Sequence, residues 1–345
     1  MDEGNKQKFS YKGCIHIHSV NSDGTGTIKE ISVAAKKAGL SWVIITDHNY
    51  FDIEEGIYNG VYILKGEEIS PQKENHYLAL DIKTQIDEGD NVQKYIDEVN
   101  NQGGFGFAAH PDESLSRKNN YPPIRWNKEF IPYGIEIWNW FSCWADKLND
   151  RNIFSLAYSF LFKNYLVKKA PIETLKWWDE LNRQKEEIVP AIGGVDAHAL
   201  KIKKYIFPVT IFPYKTMFKT ISNVIFLDKR LSNDFQMAKT QILSAIKNAN
   251  NIIINLSVSN CIPEIYVENE ARIAYSGEKI KLDDKTFLNV RMKKKGIIKV
   301  TFNGDKLYEV FAPKCNLLLN KKGKYRVEVF IDKKAFAYSN PIVVA

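Results

Sequence analysis

The sequence predicts an α/β barrel followed by a small all-β sandwich, and three observations carry that expectation. Residues 14–48 read as strand, helix, strand, the unit of a parallel sheet. Polar, metal-capable side chains recur at or near the C-terminal ends of the predicted strands up to His198. From about residue 214 the helical period gives way to short alternating runs.

The first strand carries Ile15-His16-Ile17-His18, and Asp23, Gly24 and Gly26 follow in a polar loop. Strand periodicity puts His16 and His18 on one face and Ile15 and Ile17 on the other, with Cys14 sharing the histidine face as a small core residue. Thr27-x-x-Glu30 reads as a capping box opening a helix, whose apolar stripe is Ile31, Ala34, Ala35 and Ala38 and whose stop is Gly39. Trp42 to Thr46 is a β-branched run ending in Asp47-His48-Asn49. Further strands are Val61–Leu64 leading into Gly66-Glu67-Glu68, then His76–Leu80, Phe105–Ala109 ending in His110-Pro111, Gly134–Asn139, and Ile188–Gly194 running into Asp196-Ala197-His198. Asn91 to Gln102 is a helix with Val92, Tyr95, Ile96 and Val99 on one face. His76 opens its strand instead of closing it, which leaves room for a hairpin there. Seven strands with this habit suggest a (β/α) barrel short of eight units.

Residues 140–185 form an aromatic helical insertion, with Trp140, Phe141, Trp144, Phe154, Tyr158, Phe160, Phe162, Tyr165, Trp177 and Trp178. Core and inter-helix packing is their expected role, with an aromatic wall over a substrate pocket as the alternative. The expected division is a barrel over 1–213 and a linker helix plus β-sandwich over 214–345, the latter including an Asn303-Gly304 type I′ hairpin.

The 345 residues are 44% hydrophobic and 26% charged, an ordinary globular composition. The net charge of +7 suits an anionic small molecule and is too diffuse to argue for nucleic acid. Lys293-Lys294-Lys295 and Lys321-Lys322 read as solvated turns, so a nucleic-acid partner stays open without being favoured. Cysteines 14, 143, 261 and 315 form no C-x-x-C pair and no disulfide framework. The segment Met1 to Lys12 is polar, and no apolar run is long enough to span a bilayer, so a cytoplasmic protein with no membrane partner is expected. The oligomeric state is not legible.

The histidines decide the functional reading. All six, at 16, 18, 48, 76, 110 and 198, precede residue 200, and Asp23, Glu68 and Asp196 are interleaved with them. Imidazole is the commonest metal ligand, and this set exceeds what one tetrahedral ion can use. Two or three divalent ions held together would use it.

In order, H-x-H-S with S-D-G, T-D-H-N, G-x-E-x-S, His76, A-H-P, G-x-E and G-G-x-D-A-H resemble the PHP (polymerase and histidinol phosphatase) family over roughly residues 11–212. Trp177-Trp178-Asp179-Glu180-Leu181 is similar to its carbaryl-hydrolase-like subgroup, and Lys324–Glu328 with Ser339–Ile342 looks like the β-domain of some members. Val195 departs from the Ser often found there. The resemblance implies a distorted (β/α)7 TIM-like barrel and two or three zinc, manganese or iron ions. It implies a first ion on His16, His18, Glu68 and Asp196, a second on Glu68, His76 and His110, and a third on Asp23, His48 and His198. Glu68 would bridge, since the G-x-E spacing selects it over Glu67.

The activity implied is a metal-dependent phosphoesterase acting on a small phosphorylated molecule or nucleotide. A hydroxide bridging two ions would attack in line, and Asp196 or His198 would take or deliver a proton. Asp47 and Glu136 would orient their surroundings. Arg117, in the loop after His110 with Lys118 and Arg125 nearby, is the expected phosphate clamp. A carboxyl or carbamate ester hydrolase on the same site, or a binding protein acting through the β-domain, are the other readings.

Overall fold

Seven strands close into the barrel, each burying apolar residues against its neighbours. In the computed structural model, which describes residues 8–71, 75–89, 91–113, 124–146, 166–202 and 209–345, the first elements are β1 (Phe9–Ile17), β2 (Trp42–His48), a short β3 (Gly56–Tyr58), β4 (Val61–Ile69), β5 (Tyr77–Leu80), β6 (Phe105–Ala108), β7 (Gly134–Asn139) and β8 (Ala191–Ala197). β1 pairs in parallel with β2 and β8, β2 with β4, and β7 with both β6 and β8. β5 alone runs against both its neighbours, β4 and β6. The ring is therefore an α/β barrel of seven strands with one reversed.

Helix α1 (Ile28–Ala38) connects β1 to β2 as the capping signals predict. Thr27 and Glu30 form the reciprocal capping box, and Gly39 closes the helix at φ 77°. Helix α2 (Val92–Asn101) is capped by Asn91 and buries the four predicted apolar residues. After β7 come α3 (Trp140–Ala145) and α4 (Ile172–Gln184). Their aromatics pack as core: Trp140, Trp144, Trp177 and Trp178 are buried, Trp140 and Trp144 against Phe212 at 5.1 and 4.6 Å. Phe154, Tyr158, Phe160, Phe162 and Tyr165 lie outside the described residues.

Beyond β8, β9 (Lys201–Ile202) and β10 (Val209–Thr210) form a small ladder, and α5 (Tyr214–Met217) leads to β11 (Ile221–Leu227). β11 adds antiparallel to the first half of β1, pairing Phe9 with Leu227 through Gly13 with Asn223. Helix α6 (Phe235–Lys247) follows, burying Ile242, Leu243 and Ile246 in a cluster with Ile15, Ile44 and Phe107. β12 (Asn251–Asn255) continues the sheet. The remaining strands are β13 (Glu264–Glu268), β14 (Ile273–Ala274), β15 (Lys279–Ile280), β16 (Phe287–Phe302), β17 (Asp305–Leu318), β18 (Gly323–Ile331), β19 (Lys334–Ser339) and β20 (Ile342–Val344).

The alternating runs on either side of Lys293-Lys294-Lys295, expected as separate strands over 285–291 and 297–302, are one strand, β16. Its first part pairs with β13 and its last part with β18, with an irregularity between Arg291 and Gly296. The three lysines are thus exposed strand residues where β16 passes between two layers, not a turn. Asn303 and Gly304, at φ 49° and 86°, form the predicted hairpin into β17. Among the described residues no helix is long and apolar enough to cross a membrane.

Candidate metal centre

The strand directions gather the histidines. Parallel strands deliver His16 and His18 from β1, His48 from β2, Glu68 from β4, His110 just past β6, and Asp196 and His198 from the end of β8 to one rim. His76 reaches the same rim from the start of β5 because that strand is reversed. Its place at the opening of its strand follows from the topology.

Strict alternation does not place His16 and His18. The register between β1 and β8 shifts between Ile15 and Ile17, and His16 takes φ 67°. Cys14 and Ile17 then belong to one apolar cluster and Ile15 to the other. His110 at 27° and Asp196 at 53° are also left-handed, a conformation that non-glycine residues keep only where the surroundings over-determine it. Gly194 makes room for the arrangement, since a Cβ there would stand 1.6 Å from Oε1 of Glu136 and 3.0 Å from Cβ of His16.

Glu68 is fully buried at the middle. Its Oε2 lies 3.2 Å from Nε2 of His16 and 3.3 Å from Nε2 of His18, while Oδ1 of Asp196 lies 3.6 and 3.3 Å from the same two nitrogens. Its Oε1 lies 2.9 Å from Nδ1 of His76 and 3.1 Å from Nε2 of His110. A third group has Oδ1 of Asp23 at 3.2 Å from Nε2 of His198, 3.7 Å from Nε2 of His48 and 3.8 Å from Nδ1 of His18. Bonds of about 2.0–2.1 Å to one tetrahedral ion separate its ligand atoms by about 3.3–3.4 Å, so the first group is spaced as the corners around a common centre.

The hydrogen bonding makes the same point. His16 Nε2, both nitrogens of His18 and Glu68 Oε2 are buried with no hydrogen-bond partner, although they approach within about 3 Å of each other's groups. They converge on shared points instead of pairing. Four other nitrogens have hydrogen-bond partners: His16 Nδ1–H donates to Glu136, His48 Nδ1–H, which also lies 3.0 Å from Oε2 of Glu68, to Ser70 Oγ, His76 Nε2–H to the Pro71 carbonyl, and His198 Nδ1–H to the Asp196 carbonyl. Such contacts fix which nitrogen offers its lone pair. The donor set and its orphaned atoms fit divalent ions.

His18 and His48 both differ from the grouping that the resemblance implies, since Nδ1 of His48 lies 3.0 Å from Oε2 of Glu68, in a group with Glu68 and His76. Stacked between His48 at 4.3 Å and His198 at 4.2 Å, His18 faces the first group with Nε2 and the third with Nδ1.

The field of the cluster is strongly polarised. Burial, with His198 and His48 alongside, pulls the His18 imidazole down to about 3. Burial also opposes charge on His16, yet Glu136, Asp196 and Glu68 hold it well above the usual range. His110 and His198 are lifted against burial to about 9, His110 chiefly by Glu113 and His198 by Asp23. Glu68 and Asp196 lie well below the carboxylate range, because the surrounding imidazoles outweigh burial.

Around the cluster, Asp47 accepts the Ser19 N–H and hydroxyl at 2.6 Å each and the Ser22 hydroxyl at 2.5 Å, shaping the loop that carries Asp23. Glu136 accepts from His16, from the His110 backbone N–H at 2.7 Å and from Asn139. Glu67 faces away, accepting the Ile86 N–H, and burial lifts it to about 7. Sequence reasoning missed Glu113, whose Oε2 lies 3.1 Å from Nδ1 of His110 and accepts from Ser142. Its spacing of three from His110 was the available signal. It also missed Asn139, which donates toward Glu136 and Asp196. Phe141, from the aromatic insertion, touches His198 at 5.7 Å between ring centres. Arg117 and Lys118 lie outside the described residues, and Arg125 is exposed in an isolated bridge with Asp112.

The chain is therefore an α/β-barrel protein with a histidine–carboxylate centre of metal-holding geometry. It is 30% identical, over an alignment 118 positions long that covers 29% of this chain and 67% of the other, to Uncharacterized protein MJ1587 of Methanocaldococcus jannaschii, and it belongs to the same family as that protein. No family model matches. Among solved structures it is similar to a two-domain protein containing a predicted PHP-like metal-dependent phosphoesterase from Bacteroides vulgatus, at 16% identity and TM-score 0.47, covering 97% of this chain and 95% of that one. PsfC from Pseudomonas syringae matches at 12% identity and TM-score 0.39, covering 69% of this chain and 89% of that one. Both scores fall below one half, so the fold rests on the chain's own strand pairings.

Proposed function

We propose that the protein is a metal-dependent hydrolase of the PHP type that cleaves phosphate esters of small molecules, nucleotides among them. The observation supporting this most strongly is the double use of Glu68. One carboxylate oxygen faces His16 and His18, and the other faces His76 and His110. His16, His18, Glu68 and Asp196 would hold one ion, Glu68, His76 and His110 a second, and Asp23, His48 and His198, with His18, a third. Zinc, manganese and iron all suit such ligands. When bound, these ions supply Lewis-acid charge and an activated water for attack on phosphorus.

The chain's own groups do the rest. Glu136 fixes the His16 tautomer, so that its Nε2 points into the centre. Asp196 or His198 would take a proton from the nucleophile or deliver one to the leaving oxygen. His198, its Nδ1–H held by the Asp196 carbonyl, presents Nε2 beside Asp23, whose side chain is 56% exposed, so substrate arrives from that side. Arg117 is proposed to grip the phosphate. Changing it to Ala then raises KM for a phosphate ester about tenfold or more with a smaller change in kcat, and an unaltered KM discards the role.

A second reading, hydrolysis of a carboxyl or carbamate ester, is favoured by one observation, the apolar ring of Phe141 against His198. Assays of p-nitrophenyl phosphate, bis-p-nitrophenyl phosphate and p-nitrophenyl acetate with added manganese or zinc separate the two. Turnover of a phosphate ester that chelation abolishes is expected. Turnover of acetate alone would transfer the assignment to the second reading.

A further inference from the structure

The loop carrying Asp23 is tied down from two sides. Asp47 holds its first half through Ser19 and Ser22. Its second half ends on a side chain from a distant part of the chain, Tyr214, at the start of α5. The buried Tyr214 hydroxyl donates to the His18 carbonyl at 2.6 Å and accepts the backbone N–H groups of Thr25 and Gly26 at 3.2 and 3.1 Å. The hydroxyl also lies 3.2 Å from the His198 carbonyl, a second acceptor for its one proton. The Thr25 N–H also reaches the His198 carbonyl at 2.9 Å, and the Thr25 hydroxyl donates to the Ala199 carbonyl at 2.6 Å. Gly26 leaves room for the ring, since a Cβ there would stand 2.5 Å from Cε2 of Tyr214.

Three separate stretches of chain meet at this hydroxyl: the end of β1 with His18, the loop with Asp23, and the end of β8 with His198. These stretches supply three of the four side chains of the third group. We infer that Tyr214 is a positioning residue that assembles the His18–Asp23–His48–His198 subsite, and that removing its hydroxyl weakens the ion held there and no other. The inference rests on the metal-holding reading proposed above. Its physical basis is the location of Asp23, the one exposed ligand candidate, on a loop and not on a barrel strand. The first two groups are carried by or directly beside paired strands, and of their members only His18, which the third group shares, meets Tyr214, through its backbone carbonyl.

The test is a metal titration of the full chain and of Tyr214→Phe with manganese and with cobalt(II). Bound ions are counted by element analysis at stepped free concentrations, and the cobalt d–d absorption is followed in parallel. Wild type is expected to take up three ions. Tyr214→Phe is expected to bind the weakest of them at least tenfold less tightly, to lose the matching step of the cobalt spectrum, and to keep the other two affinities. Gly26→Ala, which displaces the ring with its hydroxyl intact, is expected to give the same pattern. Phe218→Leu, a core change beside Tyr214, is expected to lower the melting temperature without touching any of the three affinities.

Equal weakening of all three ions, or three unchanged affinities in Tyr214→Phe, overturns the inference. So does a wild type that binds two ions and never a third. A wild type that binds fewer than two overturns the metal reading itself, and the inference with it.

Discussion

Around Glu68, four buried side-chain atoms of His16, His18 and Glu68 itself lack a hydrogen-bond partner. Around Arg326, on β18, a buried charge is fully paired. Arg326 donates through Nε and Nη2 to the two oxygens of Asp179 on α4, at 2.7 and 2.6 Å, and through Nη1 to Glu328 at 2.6 Å, with its guanidinium carbon 5.2 Å from the centre of the Trp178 ring. Both places take charges out of water, which costs free energy unless partners compensate. At Arg326 the partners belong to the chain, and the result is a fixed contact between α4 and the β-strands. At Glu68 the unpaired atoms converge from a left-handed backbone at His16 and Asp196, and cations are the compensation that the proposed function supplies. A satisfied buried network is structure, whereas an unsatisfied one aimed at a common point is a site.

The largest contrast should come from changing the centre of each. Glu68→Gln is expected to lose at least two ions and to cut phosphate-ester turnover about 10³-fold or more, the scale of several kcal/mol of Lewis-acid stabilisation. The melting temperature of the chelated protein should not fall. Arg326→Ala is expected to do the opposite. It leaves Asp179 and Glu328 uncompensated and costs about 3–5 kcal/mol in urea unfolding, with the metal count unchanged. Loss of metal in Arg326→Ala without loss of stability would erase the distinction.

Removing metal is the next largest effect. If ions at a hundred times their dissociation constant stabilise only the folded chain, chelation lowers the unfolding free energy by about 2.7 kcal/mol per independent ion. An unfolding curve indifferent to chelation would contradict this. Glu136→Gln, which weakens the hold on His16 Nδ1, is expected to lower the affinity of the first ion 10–100-fold in a competition titration with a chelating dye. The smallest effect should come from Glu67→Gln. Its amide oxygen can still accept the Ile86 N–H, so metal count and turnover should stay at wild-type values, although this residue is adjacent to Glu68 in sequence. A loss of metal there would mean that the wrong acid has been placed at the centre.

Much of this was legible in the sequence because it follows from periodicity and chain order. The capped helix at Thr27, the Asn303-Gly304 hairpin and the run of strands all come from local patterns that the packing respects. What was not legible depends on contacts between distant segments. Nothing local announces the left-handed turn at His16, because it is imposed by the shifted register against β8. The reversal of β5 is set by pairing on both its sides, and it alone explains why His76 precedes its strand. Tyr214 and Glu113 are ordinary residues in sequence, given meaning only by what they meet. The addition of β11 to β1 is equally non-local, since alternation alone does not say which strand comes beside which.

The central claim is that the buried, unpaired atoms around Glu68 hold divalent ions. An element-resolved metal count on the purified full-length chain, equilibrated with manganese, zinc and iron and freed of loosely bound ions, tests it most directly. Two or three ions per chain, falling to one or none in Glu68→Gln, is the predicted result. Fewer than two in the wild-type protein would contradict it.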